Sequence, residues 1–462
     1  MMRSLFSGVA GLKSHQTRMD VIGNNIANVN TVGFKSNRVT FADTLYQTNS
    51  CASAPTDNKG GTNPKQIGLG TGVASIDTIF TDGSVQSTGK NTDLCLSGSG
   101  LFIVKDASGT YYTRDGAFEY DAEGNYVLPG SGLYVQGWIG SDGVVDTTGT
   151  VGNITIPNGK SMAAEATATA AYTNNLNSAA PTIASMMQGG KPITTGTAST
   201  GSPITMTMSD GSKVTQTSGT YKTGNSLPVA TTLTVYDTLG NAHTVSITLT
   251  KTKTDSTNGN QWTAALATTS IKEDDGTTTN LGMSDVTIQF DTSGVCKSGN
   301  GTLTMTYANG AKDASGSQKV SIDFTQLTQF SGSSTVKGDA DGHAAGTLKS
   351  LAVDSSGIIT GTYTNDVIQS EAQVAIAQFN NSTGLTKTGT NLYQESNNSG
   401  TPNVHTATDL GVTITPSSLE MSNVDIANEF SDMIITQRGF QSNSKIITVG
   451  DEMLETVINM KR

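Results

Sequence analysis

Apolar side chains recur every seven residues at both ends of this chain. The two series are Leu5, Leu12, Met19 and Ile26 near the start, and Leu419, Ile426, Met433, Phe440, Ile447 and Leu454 near the end. Such a repeat is typical of helices that pack along one seam. The spacing predicts one helix from Leu5 to about Val29 and a second from Ser422, its expected N-cap, to Asn459.

One amphipathic helix alone more often packs against its own core. Two repeats in the same register, at opposite ends of one chain, predict instead that the helices pair with each other or with other subunits. Glycines weaken both helices in isolation, so we expect them to become ordered during assembly.

The rest of the chain has the composition of a β protein. Its 462 residues include 52 glycines, and only 14% are charged. No long helical repeat occurs between the ends, whereas Asp115-Gly116 and Gly124-Asn125 are hairpin signals. The expected fold class is mixed but mainly β, with nested β domains and with the terminal helices pairing as a coiled-coil-like inner layer.

The same patterns divide the chain into six segments. They are an N-terminal helix at 1–35, an extended linker at 36–75, the first part of an inner β domain at 76–155, an inserted outer β domain at 156–325, the second part of the inner β domain at 326–416, and a C-terminal helix at 417–462. The simplest topology is a nested one. In it the chain ends meet, the flanking β parts form one domain, and the middle segment is inserted into that domain.

Charge and hydropathy exclude several classes of function. The net charge of −11 and the pI near 4.8 argue against nucleic-acid binding, which needs a basic face. No run of about 18 apolar residues is present, so we expect no membrane insertion. The N-terminus lacks the apolar core of a secretory signal, which predicts a cytosolic protein or one exported without signal cleavage.

The sequence offers no catalytic, cofactor or metal site. The four histidines are dispersed without ligand spacing. The glycine-rich stretch at 68–73 lacks the GxGxxG pattern, and the stretch at 338–343 lacks the glutamate of a calcium loop. We therefore expect a protein that is not an enzyme and has no cofactor.

Three cysteines are too far apart in sequence to form a disulfide framework. Cys95 is expected to be a small buried side chain in a strand, with a cross-linking thiol as the alternative. Cys296 stands beside Lys297 in an expected turn. It is therefore predicted to be exposed and more easily oxidised, and it is the second candidate for a cross-link.

Four blocks of sequence resemble one known family. The stretch NNIANVNTVGFK at 24–35, with the residues before it, and the stretch LEMSNVDIANEFSDMIITQRGFQSNSK at 419–445 closely resemble the terminal signatures of flagellar rod and hook proteins. The blocks at 99–118 and 377–385 resemble the β domain of that family. Together they cover both ends and most of the flanking β region.

The resemblance implies a structural subunit of the bacterial flagellum. A large insert, with the block YDTLGNAHT at 236–244, favours a hook subunit over the shorter rod members. Such a subunit is exported unfolded by the flagellar type III apparatus without signal cleavage. It polymerises with itself into a short curved tube outside the cell, a universal joint between rod and filament. The implied partners are the rod, the hook cap, the hook–filament junction proteins and the export apparatus.

The signature at 24–35 suggests how the first helix ends. Its candidate residues are Asn24, Asn25, Asn28, Asn30, Gly33 and Phe34. Asn24 and Asn28 share one helix side and are expected to bond neighbouring helices or the fraying backbone. Gly33 is expected to take the left-handed conformation that stops the helix, and Phe34 to anchor the chain as it turns outward.

Two other functions remain open at this stage. A distal rod protein of the same family would form a straight, rigid tube. A β-rich surface adhesin would stay monomeric and would not need heptad repeats at both ends.

Overall fold

The computed structural model describes residues 2–55, 59–255, 257, 259–273, 276–307, 311 and 317–460. The chain divides into two compact units. Unit 1 comprises Met1–Lys160, Leu348–Thr362 and Ile368–Arg462, and unit 2 comprises Ser161–Thr347 and Tyr363–Val367. Among the described residues, no helix is long and apolar enough to cross a membrane.

The first part of unit 1 is a long helix followed by short strands. The helix is α1 (Met2–Ala27). The strands are β1 (Asn37–Asp43), β2 (Tyr46–Ser50), β3 (Lys65–Gly68), β4 (Thr71–Thr78), β5 (Val85–Ser87), β6 (Leu94–Ser97), β7 (Leu101–Lys105), β8 (Thr110–Thr113), β9 (Glu119–Tyr120), β10 (Tyr126–Leu128), β11 (Leu133–Ser141), β12 (Val144–Val145) and β13 (Gly152–Asn153).

Unit 2 is built from strands. They are β14 (Ser161–Met162), β15 (Thr169–Asn177), β16 (Ile183–Gln188), β17 (Lys191–Ile193), β18 (Thr195–Ala198), β19 (Ile204–Met208), β20 (Lys213–Gln216), β21 (Gly219–Lys222), β22 (Val229–Tyr236), β23 (Ala242–Lys253), β24 (Gln261–Leu266), β25 (Ser270–Lys272), β26 (Thr278–Gly282), β27 (Val286–Phe290), β28 (Cys296–Ser298), β29 (Asn300–Thr306), β30 (Gln318–Asp323), β31 (Leu327–Phe330) and β32 (Lys337–Ala340).

The chain then returns to unit 1 and ends in a helix. The strands are β33 (Gly346–Val353), β34 (Ile358–Tyr363), β35 (Ile368–Val374), β36 (Ile376–Gln378), β37 (Thr386–Gly389), β38 (Leu392–Gln394), β39 (Asn403–His405), β40 (Thr413–Pro416) and β41 (Ser418–Glu420), with a 3₁₀ turn at Ser382–Gly384. The last element is α2 (Ile426–Asn459). The prediction of a mainly β fold with paired terminal helices is confirmed.

The start of the C-terminal helix differs from the prediction. The N-cap is Asp425, whose carboxylate accepts hydrogen bonds from the backbone N–H groups of Ala427 and Asn428. The predicted cap, Ser422, lies before the helix, and its hydroxyl accepts from Val424 N. Leu419 was assigned to the helix by its seven-residue spacing, but it lies in β41 and pairs with β5, so that assignment is wrong.

Unit 1 has one large antiparallel sheet, in which neighbouring strands follow the order β34-β35-β11-β7-β8-β38-β37. Side chains of these strands and of the segments beside them fill two apolar clusters, one that includes Phe102, Phe118 and Tyr126 and one that includes Tyr112 and Trp138. Two short ribbons, β5 with β41 and β6 with β40, connect the C-terminal part of the chain to the first part.

The stretch predicted as an extended linker is instead two antiparallel ribbons. Strand β1 pairs with β4, and β2 pairs with β3. The first ribbon follows α1: the hydroxyl of Ser14 donates to Thr71 O at 3.3 Å, and the rings of His15 and Phe41 meet edge to face. The helix therefore packs against strands contributed by the residues that directly follow it.

The described strands of unit 2 form three larger sheets and one two-stranded ribbon, β18 with β21. Strands β25-β26-β29-β30-β15-β31 form the largest, β22-β23-β24-β27-β28 the second and β17-β16-β19-β20 the third. Strand β15 is parallel to β30 and β31 and antiparallel to β32. These partners extend to Ala340, so unit 2 runs to Thr347 rather than to the predicted 325.

A recurrent turn connects strands in both units. An aspartate is followed three residues later by a left-handed glycine, and its carboxylate accepts the backbone N–H of the next residue. The aspartate–glycine pairs are Asp121 with Gly124, Asp237 with Gly240, Asp291 with Gly294, and Asp354 with Gly357. The pattern D-x-x-G-x between β runs is therefore a recurrent turn signal in this chain.

Leu249 tests the core of unit 2, because it is fully buried in β23. Leu249→Ala should lower the free energy of unfolding by about 2–5 kcal/mol through lost burial and a cavity. The matched variant Leu239→Ala alters a side chain that is 62% exposed, and it should change that free energy by less than about 0.5 kcal/mol. Guanidinium unfolding followed by tryptophan fluorescence measures both. Equal midpoints for the two variants would contradict the assigned core.

Candidate functional site

A buried ion cluster joins the three parts of unit 1 that resemble the family signatures. It consists of Lys35, Arg114 and Glu420, and at its exposed side Asp82, 43% exposed, lies 3.4 Å from Arg114 Nη1. The side chains of Lys35, Arg114 and Glu420 are at most 1% exposed. Glu420 accepts from Lys35 Nζ at 2.6 Å through Oε1 and from Arg114 Nη1 at 3.1 Å through Oε2. Two cations and two carboxylates balance, so the cluster carries no net formal charge.

Backbone groups add hydrogen bonds to the cluster. Lys35 Nζ also donates to Thr81 O at 2.7 Å, and Gly83 N donates to Glu420 Oε1 at 2.9 Å. Arg114 donates to the carbonyl oxygens of Leu96 and Gly98. Since buried charges require both ion pairing and hydrogen bonds, these contacts are what make the burial tolerable.

Burial shifts the pKa values of neighbouring groups. Desolvation, with the charge of Arg114, lowers the pKa of Lys35, while the charge and hydrogen bond of Glu420 oppose that change. Burial and the charge of Glu420 raise the pKa of the Cys95 thiol to about 11. Cys95 lies in β6 and is buried, as the sequence suggested.

The other cysteine prediction is wrong. Cys296 lies in β28 rather than in a turn, and it is buried rather than exposed. Burial raises the pKa of its thiol. The exposed free cysteine is Cys51.

Side-chain amides connect the end of α1 to the strands. Asn25 and Asn37 form a two-bond pair: Asn25 Nδ2 donates to Asn37 O at 2.9 Å, and Asn37 N donates to Asn25 Oδ1 at 3.0 Å. Asn25 Nδ2 also donates to Glu429 Oε1 in α2 at 2.9 Å. Asn25 is buried, so one amide fixes α1, β1 and α2 together.

A second amide performs the same function before α2. Asn423 Oδ1 accepts from Ser36 N at 2.8 Å, and its Nδ2 donates to Ile79 O at 2.9 Å. Ser36 belongs to the segment that follows α1, and Asn423 belongs to the segment that precedes α2. Asn37 and Asn423 carry no separate signal in the sequence, although Asn423 lies within the recognised block at 419–445 and Asn37 lies two residues after the block at 24–35.

The remaining signature residues act locally. Asn28 Nδ2 donates to Asn24 O at 2.9 Å and to Asn24 Oδ1 at 3.1 Å, within α1 and the turn after it. Asn30 is exposed. Gly33 has φ of 66°, and a Cβ there would lie 2.6 Å from Asp115 N. Phe34 is buried, with Lys387 Nζ 5.1 Å from its ring centroid.

Helices α1 and α2 are antiparallel neighbours. Asn25 meets Glu429 near one end of the pair, and Leu5 lies against Gly450 near the other. Between them a Cβ at Gly11 would lie 2.6 Å from Asn443 Nδ2, and one at Gly439 would lie 2.7 Å from the His15 ring. Small residues therefore allow the close approach of the two helices.

Most of the predicted apolar series is not buried by this contact, although Leu5 lies against Gly450 and Ile447 lies against Gly8. Leu5, Leu12, Met19, Ile26, Met433, Ile447 and Leu454 are half-buried, whereas Ile426 and Phe440 are exposed. The buried positions along the helices are instead Gly8, Gly11, Ser14, Ile22, Asn25, Thr436 and Gly450. The glycines were the sequence signal for these buried positions. From the sequence alone they were interpreted only as residues that weaken the helices.

The fold and this junction define a structural β protein whose two chain ends form one helical layer. Within the described residues, no group of three or more histidine, cysteine, aspartate or glutamate side chains could hold a metal ion. The charged side chains of the ion cluster pair with one another.

Comparisons with known proteins identify the family. The family models "Flagella basal body rod protein", "Flagellar hook protein FlgE/F/G D1 domain", "Flagellar basal body protein FlaE D2 domain" and "Flagellar basal body rod FlgEFG protein C-terminal" match residues 5–35, 95–173, 223–343 and 415–460. The chain is 39% identical to the flagellar hook protein FlgE of Treponema pallidum and 37% identical to that of Borreliella burgdorferi. It is 29% identical to the basal-body rod protein FlgG of Bacillus subtilis. Each match covers 100% of both chains.

The chain therefore belongs to the flagellar hook protein FlgE family. It is a structural subunit of the bacterial flagellar hook.

Glu420 is the centre of the ion cluster, which makes Glu420→Gln the direct test of its contribution. The variant leaves Lys35 and Arg114 buried without their shared counter-charge and should lower the free energy of unfolding by about 3–5 kcal/mol. The matched variant Glu119→Gln removes an exposed pair with Lys90 at 3.4 Å and should cost at most about 1 kcal/mol. Urea unfolding of both variants measures the difference, and equal losses would refute the assigned role.

Asn25 tests the attachment of the first helix. Asn25→Ala should increase hydrogen exchange of α1 amides by about tenfold to a hundredfold, because buried bonds worth about 1–3 kcal/mol are lost. The sheet amides of β7, β8 and β11 should keep their protection. Asn30→Ala, at an exposed position of the same signature, is the control and should leave α1 unchanged. An α1 that exchanges at the wild-type rate in Asn25→Ala would show that this amide does not hold the helix.

Proposed function

We propose that this chain polymerises with copies of itself into a short curved tube that acts as a universal joint between the flagellar rod and filament. Membership of the hook family supports this proposal. In it the terminal helices form the inner wall of the tube, and the chain has neither catalytic activity nor a cofactor.

The observation that carries the proposal is the exposed apolar surface of the terminal helices. Ile434 and Ile435 of α2 are 58% and 60% exposed, and Phe6 of α1 is 66% exposed. Burying an isoleucine contributes about 1.5–3 kcal/mol, so a helix with several such side chains gains much from a neighbouring subunit. The predicted residues Ile426 and Phe440 belong to the same exposed set, which is where the proposal places subunit contacts.

Flagellar partners follow from the same proposal. The tube begins on the rod, grows beneath the hook cap and ends at the hook–filament junction proteins. The subunit reaches it through the flagellar type III export apparatus, unfolded and without signal cleavage, and functions outside the cell. The buried positions of Cys95 and Cys296 mean that a cross-link through either thiol would require local opening of its strand.

A distal rod protein is the second candidate. The full-length similarity to the rod protein FlgG of Bacillus subtilis favours it. Higher identity to the two hook proteins and the match to the FlaE D2 model favour the hook.

Ile434→Gln tests the proposal, because glutamine keeps the helix while removing the apolar contact. In cells whose single hook gene encodes the variant, immunogold labelling of detached flagella with antibody against unit 2 should find no labelled hook. The wild type should show label along a short curved segment between rod and filament. Ile368→Gln, which changes an isoleucine of β35 that is 69% exposed, is the matched control and should label as the wild type does.

Other labelling patterns would contradict the proposal. Label confined to the straight rod would favour the rod protein. Label on the cell envelope, with bare flagella, would favour a surface adhesin. Normal labelled hooks in Ile434→Gln would show that the exposed helix surface is not the site of assembly.

A further inference from the structure

Six consecutive strands of unit 2 form a group that pairs only within itself. Strands β17-β16-β19-β20 form one sheet, and β18 pairs with β21. In the part of unit 2 that the structure describes, none of these strands pairs with a strand outside the group. They lie between the two ranges that match family models, 95–173 and 223–343. Residues 183–225, which contain all six strands, are called the inserted module below.

The inserted module has an apolar core of its own. Its buried members are Ile183, Met186, Ala198, Ile204, Met206 and Met208. The partly buried side chains that pack on them are Ile193, Val214, Tyr221 and Leu227, and of these described residues only Leu227 lies outside the module. The larger apolar cluster of unit 2, which includes Leu249 and Trp262, has no described member within the module. Because apolar burial is the main source of stability, two separate cores indicate two folding units.

The two ends of the module lie side by side. Ile183 N donates to Asn225 O at 2.8 Å, and Gly224 N donates to Ile183 O at 2.9 Å. Thr182 and Ser226, the residues just outside the module, form an antiparallel bridge. The chain therefore enters and leaves the module at one place, which is the arrangement that allows a domain to be inserted into another.

The attachment of the module to its surroundings is narrow. Ser209 N donates to Thr182 O at 2.8 Å, and Thr182 N donates to Ser209 Oγ at 3.1 Å. Two cavities, of about 320 and 300 Å³, are each lined both by residues of the module and by residues of β23. Close packing is thus interrupted on the side that faces β23, so little apolar burial depends on this contact.

The chain on the other side of the attachment is held without the module. Ser226 N donates to Lys251 O at 2.9 Å, and Lys251 N donates to Ser226 Oγ at 2.9 Å. Lys251 Nζ donates to Ser178 O at 2.7 Å. These three bonds connect β23 to the residues before and after the module, and none of them involves a residue of the module itself.

We propose that the inserted module is an accessory domain, which folds on its own core and is required neither by the rest of unit 2 nor for assembly of the subunit. The statement about assembly rests on the proposed function, in which the terminal helices make the contacts between subunits. Removal of the module takes away the bonds between Thr182 and Ser209 and part of the packing of Leu227. The bonds of Lys251 and the cluster around Leu249 stay in place.

Hydrogen exchange of two full-length variants tests the separate folding. Met206→Ala opens a cavity in the core of the module, where Met206 is fully buried. It should lower the protection of the β16 and β19 amides by about thirtyfold or more and leave the β23 and β24 amides unchanged. Leu249→Ala is the matched variant in the larger core and should give the reverse pattern. Parallel loss of protection in both sets of strands would overturn the proposal, because it would show one cooperative unit.

A deletion tests whether the module can be removed. Replacing residues 183–225 with Asn-Gly joins Thr182 to Ser226 through a two-residue hairpin turn. Both tryptophans lie outside the deleted segment. Guanidinium unfolding of the purified variant, followed by tryptophan fluorescence, should therefore keep the wild-type midpoint. A variant that does not fold, or that unfolds without a cooperative transition, would contradict the proposal.

Immunogold labelling of detached flagella tests the role in assembly. In cells whose single hook gene encodes the deletion, antibody against unit 2 should still label a short curved segment. Ile434→Gln, which keeps the module, is the control and should show no labelled hook. A deletion variant that folds when purified but forms no hook, in cells where the wild type does, would overturn the accessory role. Failure of the wild type itself would contradict the proposed function instead, and the separate folding would still be decided by hydrogen exchange.

Discussion

A single carboxylate between two buried cations determines how the ends of this chain meet. Glu420 pairs with Lys35, which follows the first helix, and with Arg114, which belongs to the sheet. Removing charges from water costs several kcal/mol per ion, so each member depends on the others being present. The helices α1 and α2 can run side by side because this cluster fixes the exit of one and the approach to the other at the same point.

Two asparagines, Asn25 at the end of the first helix and Asn423 before the second, join the helices to the strands. A side-chain amide carries two N–H donors and a carbonyl acceptor, so it can pair with a backbone N–H and C=O as a peptide group does. Asn25 pairs in this way with the backbone of Asn37, as a strand neighbour would, and Asn423 does the same with Ser36 and Ile79. The backbone groups of the segment between helix and sheet are thereby satisfied where no regular ladder could reach them.

Local patterns in the sequence predicted local structure well. Heptad spacing identified both helices, and hairpin signals identified the β character of the rest. The pairing of the helices was predicted, but the residues at their closest approach were not, because that approach depends on glycines such as Gly11 and Gly439, whose pattern is weaker than that of apolar residues. Asp425 replaced Ser422 as the cap, since β41 and its pairing with β5 occupy the residues before Ser422.

Long-range contacts explain the other differences. Lys35 and Glu420 are separated by 385 residues, and no period or spacing connects them. Similarly, unit 2 extends beyond its predicted end because β15 needs β30, β31 and β32 as neighbours, which composition alone does not indicate.

Both helices of one subunit meet at one buried cluster, and we propose that their exposed apolar sides contact other subunits. A helical reconstruction of the assembled tube by electron microscopy, at a resolution that shows side chains, tests this directly. The account predicts that Lys35, Arg114 and Glu420 of the same subunit remain paired and that Ile434 and Phe440 contact neighbouring subunits. A tube in which Glu420 pairs with Lys35 of another subunit, or in which α1 and α2 have separated, would contradict it.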